Sequence, residues 1–87
     1  MSISRFEILY NSNIKIKELI MRIKDLREDN DLTQKQIADI LHIKQNTYSQ
    51  YENGQRQLPL QFLITLARYY NTSTDYILGL TDKRKPY

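Results

Sequence analysis

Four neutral residues, Gln45, Asn46, Ser49 and Gln50, carry the most informative chemistry in this 87-residue chain. Each can both donate and accept a hydrogen bond, and at helical spacing all four share one face. A face that only has to be soluble would carry Lys and Glu, which pair at i,i+4 and stay hydrated. Carboxamides instead match the major-groove edge of adenine, where N6 donates and N7 accepts, at about 1–3 kcal/mol per bidentate pair. Gln45 and Asn46, at the helix N-terminus, would enter such a groove deepest. An ordinary polar surface is the competing reading, and it competes most closely for Ser49 and Gln50.

Other chemistries lack the residues they need. The chain has no cysteine and one histidine, His42, so disulfides, thiol nucleophiles, thiolate metal sites and a Ser-His-Asp arrangement all drop out. There is no Gly-rich phosphate loop and no readable pair of catalytic carboxylates, which argues against an enzyme. No cofactor, metal ion or small-molecule ligand is expected. No apolar run approaches the roughly 18 residues of a membrane span, and the N-terminus lacks a signal-peptide core, so a cytoplasmic protein with no membrane association is expected. Apolar residues at 40 % and charged residues at 26 % fit a folded soluble domain. The net charge of +3 suits a polyanion without demanding one, because residues 1–31 sum to zero.

The elements that must hold the four residues are helices. Two glycines and two prolines are too few for the frequent turns of a sandwich or barrel. Residues 1–14 read as an appendage; Phe6, Leu9 and Tyr10 suit a short helix, while Ile3, Phe6, Ile8 and Tyr10 half-fit a strand. From Lys15, Ile16, Leu19, Ile20, Ile23 and Leu26 trace one apolar face, and Asp29-Asn30-Asp31 ends that helix. Thr33 and Gln36 form a capping box that opens a second helix, with Ile37, Ile40 and Leu41 inward. Ala38 is the small residue that lets the next helix cross closely, at a steep angle. His42 tolerates the left-handed backbone that the short connection needs. A third helix starts near Gln45, with Ile43 and Tyr48 at hydrophobic-staple spacing, Thr47, Tyr48 and Tyr51 inward, and Asn53-Gly54 at its end. The spacing of the tyrosines assigns Tyr48, Tyr51 and Tyr70 to core packing rather than to base stacking.

A fourth helix follows Pro59, placed at the first helical position, with Leu60, Leu63, Ile64, Ala67 and Tyr70 as its buried face. Asn71 stops it, and Ser73-Thr74-Asp75 opens a fifth helix whose Ile77, Leu78 and Leu80 close the core. Residues 83–87 read as a solvated tail. The surplus of apolar residues near the C-terminus makes Tyr76, Leu78 and Leu80 candidates for exposed pairing residues.

The run Leu32-Thr33-Gln34-Lys35-Gln36-Ile37-Ala38, followed by Gln45 through Gly54, resembles the central signature of the phage-repressor-like (XRE or Cro-type) helix-turn-helix regulators. Thr74-Asp75-Tyr76-Ile77-Leu78-Gly79 resembles the usual ending of that family, so the likeness covers residues 15–82. It implies an all-α, five-helix bundle whose second and third helices form the helix-turn-helix, the third reading double-stranded DNA. On that recognition helix lie Gln45, Asn46, Ser49 and Gln50, the residues whose chemistry already suits base contact. Gln34 then anchors a phosphate beside Thr33 and Lys35, and Asn53, Gly54 and Arg56 hold the backbone on the other side. Arg27 and Glu52 match a structural ion pair between the first and third helices. Two departures stand out: His42 replaces a usual glycine, and Lys44 replaces a Ser or Thr cap, exchanging an oxygen acceptor for a cation that can reach a phosphate.

The expectation is a sequence-specific transcriptional regulator, a repressor, acting as a homodimer on a palindromic operator. The alternative is a protein-interaction or antitoxin-like module using the same helices.

Overall fold

The structure, a computed structural model, describes residues 16–85. Five helices follow one another: α1 (Ile16–Asp29), α2 (Gln34–Ile40), α3 (Gln45–Glu52), α4 (Leu60–Tyr69) and α5 (Thr74–Ile77). No strand occurs among the described residues, and the expected all-α five-helix architecture holds. The helix or strand read in residues 1–13 lies outside the described residues. No described helix is long and apolar enough to cross a membrane.

All five helices stop by one device. The residue after each C-cap has a positive φ: Asp31 (56°), His42 (58°), Gly54 (75°), Asn71 (53°) and Gly79 (78°). The following amide then turns back to the carbonyl five residues earlier. Leu32 donates to Arg27 at 3.1 Å, Ile43 to Ala38 at 3.0 Å, Gln55 to Gln50 at 2.9 Å, Thr72 to Ala67 at 2.8 Å and Leu80 to Asp75 at 2.9 Å. These bonds satisfy carbonyls that a helix end otherwise leaves unpaired. Asp, Asn and His tolerate the left-handed angle better than most residues, so a chain with two glycines can still end five helices. At Gly54 a Cβ would lie 2.9 Å from Ile20 Cδ1, and at Gly79 it would lie 3.0 Å from Glu18 Cβ.

Helix starts follow the sequence with one difference. Thr33 Oγ1 accepts from the Gln36 amide at 3.1 Å, and Gln36 Oε1 accepts from the Thr33 amide at 2.8 Å, completing the capping box. Ser73 Oγ accepts from the Tyr76 amide at 3.0 Å. Pro59, however, is the N-cap of α4 rather than its first residue, since its ψ of 147° is extended.

One core joins all five helices, with Ile23, Ile37, Tyr48, Leu63, Leu66 and Ile77 fully enclosed. Tyr48 and Tyr51 meet edge to face with centroids 6.4 Å apart, as inward packing required. Helix α4 corrects its expected face: Leu63, Leu66 and Ala67 are buried, whereas Leu60 and Ile64 remain 40 % and 38 % exposed. Its apolar residues, now including Phe62 and Leu66, cover too much of the circumference for all to point inward. The expectation of exposed Tyr76, Leu78 and Leu80 is also overturned. Leu78 is buried, and Tyr76 and Leu80 pack against the core, because the single turn of α5 lies against both α1 and α4.

Arg22 secures that corner, a role its sequence position did not announce. Its Nη1 donates to the carbonyls of Tyr76 (3.2 Å) and Thr81 (3.0 Å), its Nη2 to Asp82 (2.9 Å) and its Nε to Glu18 (3.0 Å). Its guanidinium carbon stands 4.3 Å from the Tyr76 ring centroid. The charged run that follows is not a free solvated tail throughout. Arg84 pairs with Asp29, and its carbonyl accepts from the Thr72 hydroxyl.

Arg27 and Glu52 form the expected ion pair between α1 and α3. Arg27 Nε and Nη2 donate to the two carboxylate oxygens at 2.7 and 3.1 Å, and Nη1 donates to the Leu32 carbonyl at 2.8 Å. Gln34 Nε2 adds a fourth bond, to Glu52 Oε1 at 3.1 Å. The side chains are 12 % and 3 % exposed. Burial alone would raise the Glu52 carboxyl pKa, but Arg27 above all, then the nearby Tyr48 hydroxyl and the Gln34 amide, outweigh it and hold the group below the usual carboxylate range.

Replacing Arg27 with Met strands a buried carboxylate and is expected to cost about 3–5 kcal/mol in urea unfolding. Because the folded pKa of Glu52 is lowered, its stabilisation is full above the unfolded value of about 4.3 and is lost as pH falls through the folded value. Thermal melts of Glu52→Gln should therefore depend less on pH below about 4.3 than melts of the parent chain; equal acid sensitivity would contradict the assignment.

Candidate nucleic-acid interface

Helix α3 sorts its residues sharply between two sides. At about 100° per residue, Gln45, Ser49, Asn53, Asn46 and Gln50 fill one arc, and Thr47, Tyr51, Tyr48 and Glu52 fill the opposite one. Tyr48, Tyr51 and Glu52 are buried and Thr47 is half-buried. On the outer arc Gln45, Asn46 and Asn53 are exposed, with Ser49 and Gln50 half-exposed. The helix carries one acid, Glu52. That acid is turned inward against Arg27, so the outer arc presents hydrogen-bonding groups without a negative charge.

The rim of this arc is positive. Lys44 and Arg56 are exposed at its two ends, and Lys35 is exposed on α2. Lys35 lies 3.4 Å from Asp39, with both side chains largely in solvent, a pairing too exposed to hold the lysine in place. Lys44 is the N-cap of α3 and makes no side-chain cap, as its chemistry requires. The opening amides of α3 therefore lack the oxygen acceptor that Thr33 gives α2.

Several expected site residues have partners that their positions did not reveal. Gln34 is half-buried, and in the free chain its amide is directed at Glu52. The capping box uses the amides of Thr33 and Gln36 and leaves those of Gln34 and Lys35 outside it. Ser49 Oγ and Asn53 Nδ2 are 3.4 Å apart, and Arg56 Nε donates to Gln50 Oε1 at 2.9 Å. Gly54 is exposed at the end of the helix. The candidate residues Gln45, Asn46, Ser49, Gln50, Asn53, Gly54 and Arg56 thus lie along one helix and its exit, while Thr33, Gln34 and Lys35 sit at the start of α2.

Behind the helix, the hydroxyls of Tyr48 and Tyr70 are buried without a partner in hydrogen-bond geometry. Burial first, and the nearby Glu52 carboxylate second, push both phenols above their ordinary pKa, so both stay neutral. The turn that sets α3 against α2 depends on Ala38, which is buried, and on His42 at φ 58°.

A helix-turn-helix family model matches residues 23–77. The chain is 43 % identical over 65 residues to the uncharacterized HTH-type transcriptional regulator YobD of Bacillus subtilis (strain 168), covering 75 % of this chain and 58 % of that protein. It is 39 % identical over 64 residues to the HTH-type transcriptional regulator ImmR of the same organism, covering 74 % of this chain and 50 % of ImmR. It is 37 % identical over 57 residues to antitoxin PezA of Streptococcus pneumoniae serotype 4 (strain ATCC BAA-334 / TIGR4), covering 66 % of this chain and 36 % of PezA. The chain thus spans little more than half the length of YobD and half that of ImmR.

The uncapped start of α3 gives a direct stability test. Lys44→Ser restores an oxygen acceptor at the N-cap and should stabilise the chain by about 0.5–2 kcal/mol in urea unfolding. An unchanged or lower midpoint would show that the start of α3 does not need a cap.

Proposed function

The chain belongs to the XRE-type helix-turn-helix family, and from that premise we propose that it is a transcriptional regulator that binds double-stranded DNA in a sequence-specific way. One observation carries the reading. The outer arc of α3 is exposed or half-exposed and neutral, built of carboxamides and a hydroxyl, while the only acid of the helix is buried and paired. In this reading Gln45 and Asn46 contact base edges in the major groove, and Ser49 and Gln50 extend the contact along the helix. The amides of Gln34 and Lys35, with Thr33, approach one phosphate, and Lys44, Asn53 and Gly54 approach others. Gln34 contributes through its main chain, its side chain being engaged with Glu52.

One such helix reads only a few base pairs, too little for a unique site. We therefore propose a homodimer on a palindromic operator, with half-sites about 34 Å apart. Leu60 and Ile64, one turn apart on α4 and left exposed, support pairing through an apolar surface. Repression by occupying the duplex is the mode we propose, since it requires nothing beyond that bound geometry.

The likeness to an antitoxin favours a second reading, a protein-interaction module on the same bundle. That match takes in only 36 % of the antitoxin, and the polar arc of α3 offers a protein partner no apolar groove, so the DNA reading is preferred.

Selection from a random duplex pool is expected to enrich a palindrome. On the enriched duplex, Gln45→Ala should cost about 1–3 kcal/mol and relax preference at one position of each half-site. An equal loss on every sequence would remove Gln45 from base reading. With only Lys35, Lys44 and Arg56 as cations over residues 32–57, a shallow salt dependence is expected. A log–log slope steeper than about −6 would require phosphate contacts outside this face.

A further inference from the structure

We infer that Arg56 sets the base preference of Gln50: it draws the Gln50 side-chain oxygen toward itself and turns the NH2 outward, so that the two side chains lead with hydrogen-bond donors and select guanine over adenine. The inference rests on the DNA reading above and deepens it.

Three bonds bring the pair together. The Gln50 main-chain carbonyl accepts from the amides of Gln55 at 2.9 Å and Arg56 at 3.3 Å. Those bonds form as the chain leaves α3 through Gly54 at φ 75°, and they seat Arg56 beside the last turn of the helix. Gln50 Oε1 then accepts from Arg56 Nε at 2.9 Å. A guanidinium has five N–H donors and no acceptor, so the amide atom that faces it has to be the oxygen. The partner fixes which end of the carboxamide points outward, a choice that geometry alone often leaves open.

That orientation changes what Gln50 can read. A free glutamine pairs with adenine by accepting from N6 and donating to N7. With its oxygen held by a cationic donor, Gln50 turns its NH2 outward instead. The ion pairs of the described residues do not include Arg56, and its Nη groups are donors as well. Guanine presents two neighbouring acceptors, N7 and O6, whereas adenine presents N7 beside an N6 donor. An edge that leads with donors therefore matches guanine and meets a donor at adenine. A simple phosphate contact by Arg56 would need only its charge, which lysine keeps. The bond to the carboxamide is donated by Nε, and lysine has a methylene at that place in its side chain.

The test is selection from a random duplex pool with the full chain and with Arg56→Lys, Gln50→Ala and the double variant, each shown by circular dichroism to melt as a folded helical protein. The parent chain is expected to enrich guanine at one position per half-site. Arg56→Lys should admit adenine there, lowering the guanine-to-adenine ratio by about 5-fold to 150-fold. Gln50→Ala should lose preference at the same position, and the double variant should lose no more than either single one. An Arg56→Lys protein that keeps the parent preference at every position, binding all duplexes more weakly alike, would overturn the inference and leave Arg56 a phosphate contact. A parent chain that enriches no sequence at all would overturn the DNA reading itself, and this inference with it.

Discussion

The buried pair of Arg27 and Glu52 is the constraint on which the rest of the site depends. Glu52 lies in the last turn of α3, and a carboxylate that deep is tolerated only with its charge matched and its oxygens bonded. Arg27 meets it with two parallel bonds and uses a third to hold the Leu32 carbonyl, just before α2 begins. Gln34 completes the set from the first turn of α2. One cluster therefore fixes the relation of α1, α2 and α3. With the inner side of α3 held in this way, its opposite side must face solvent. The polar residues of α3 are outward because the acid is inward.

The same arrangement shapes the electrostatics of the outer face. Removing the only negative charge of α3 from the surface leaves amides and hydroxyls framed by Lys44 and Arg56. In the proposed DNA complex, affinity draws on few cations, and discrimination falls to hydrogen bonds whose orientation the protein sets in advance. Pre-orientation costs side-chain entropy at folding rather than at binding. The tie between Arg56 and Gln50 is one instance, made on the outer side of the helix as the Glu52 cluster is made on the inner side.

Much of this was legible in the residues themselves, because it is local. The capping box at Thr33 and Gln36, the cap at Ser73, the left-handed stop at His42 and the inward tyrosines at Tyr48 and Tyr51 each follow from chemistry within one or two turns. The Arg27–Glu52 pair is not local, and it was readable only through resemblance to known regulators. What stayed hidden depended on which way competing side chains turn. Helix α4 has more apolar residues than one face can bury, so periodicity could not choose Leu66 over Leu60 and Ile64. Tyr76, Leu78 and Leu80 looked superfluous because nothing near them in sequence announced Arg22, more than fifty residues away, as their clamp. At the site, the residue types of Gln34, Gln50 and Arg56 were legible. Their internal partners were not, because a glutamine that bonds a neighbour looks identical in sequence to one that awaits a ligand.

The most direct test of the central claim is an NMR structure of the chain bound to its enriched duplex, read through contacts between protein amide protons and base protons. The account predicts cross-peaks from the side-chain NH2 groups of Gln45 and Asn46 to major-groove protons, with α4 and α5 showing none to any base. Contacts confined to the minor groove or to another helix, with Gln45 and Asn46 still in solvent, would contradict it.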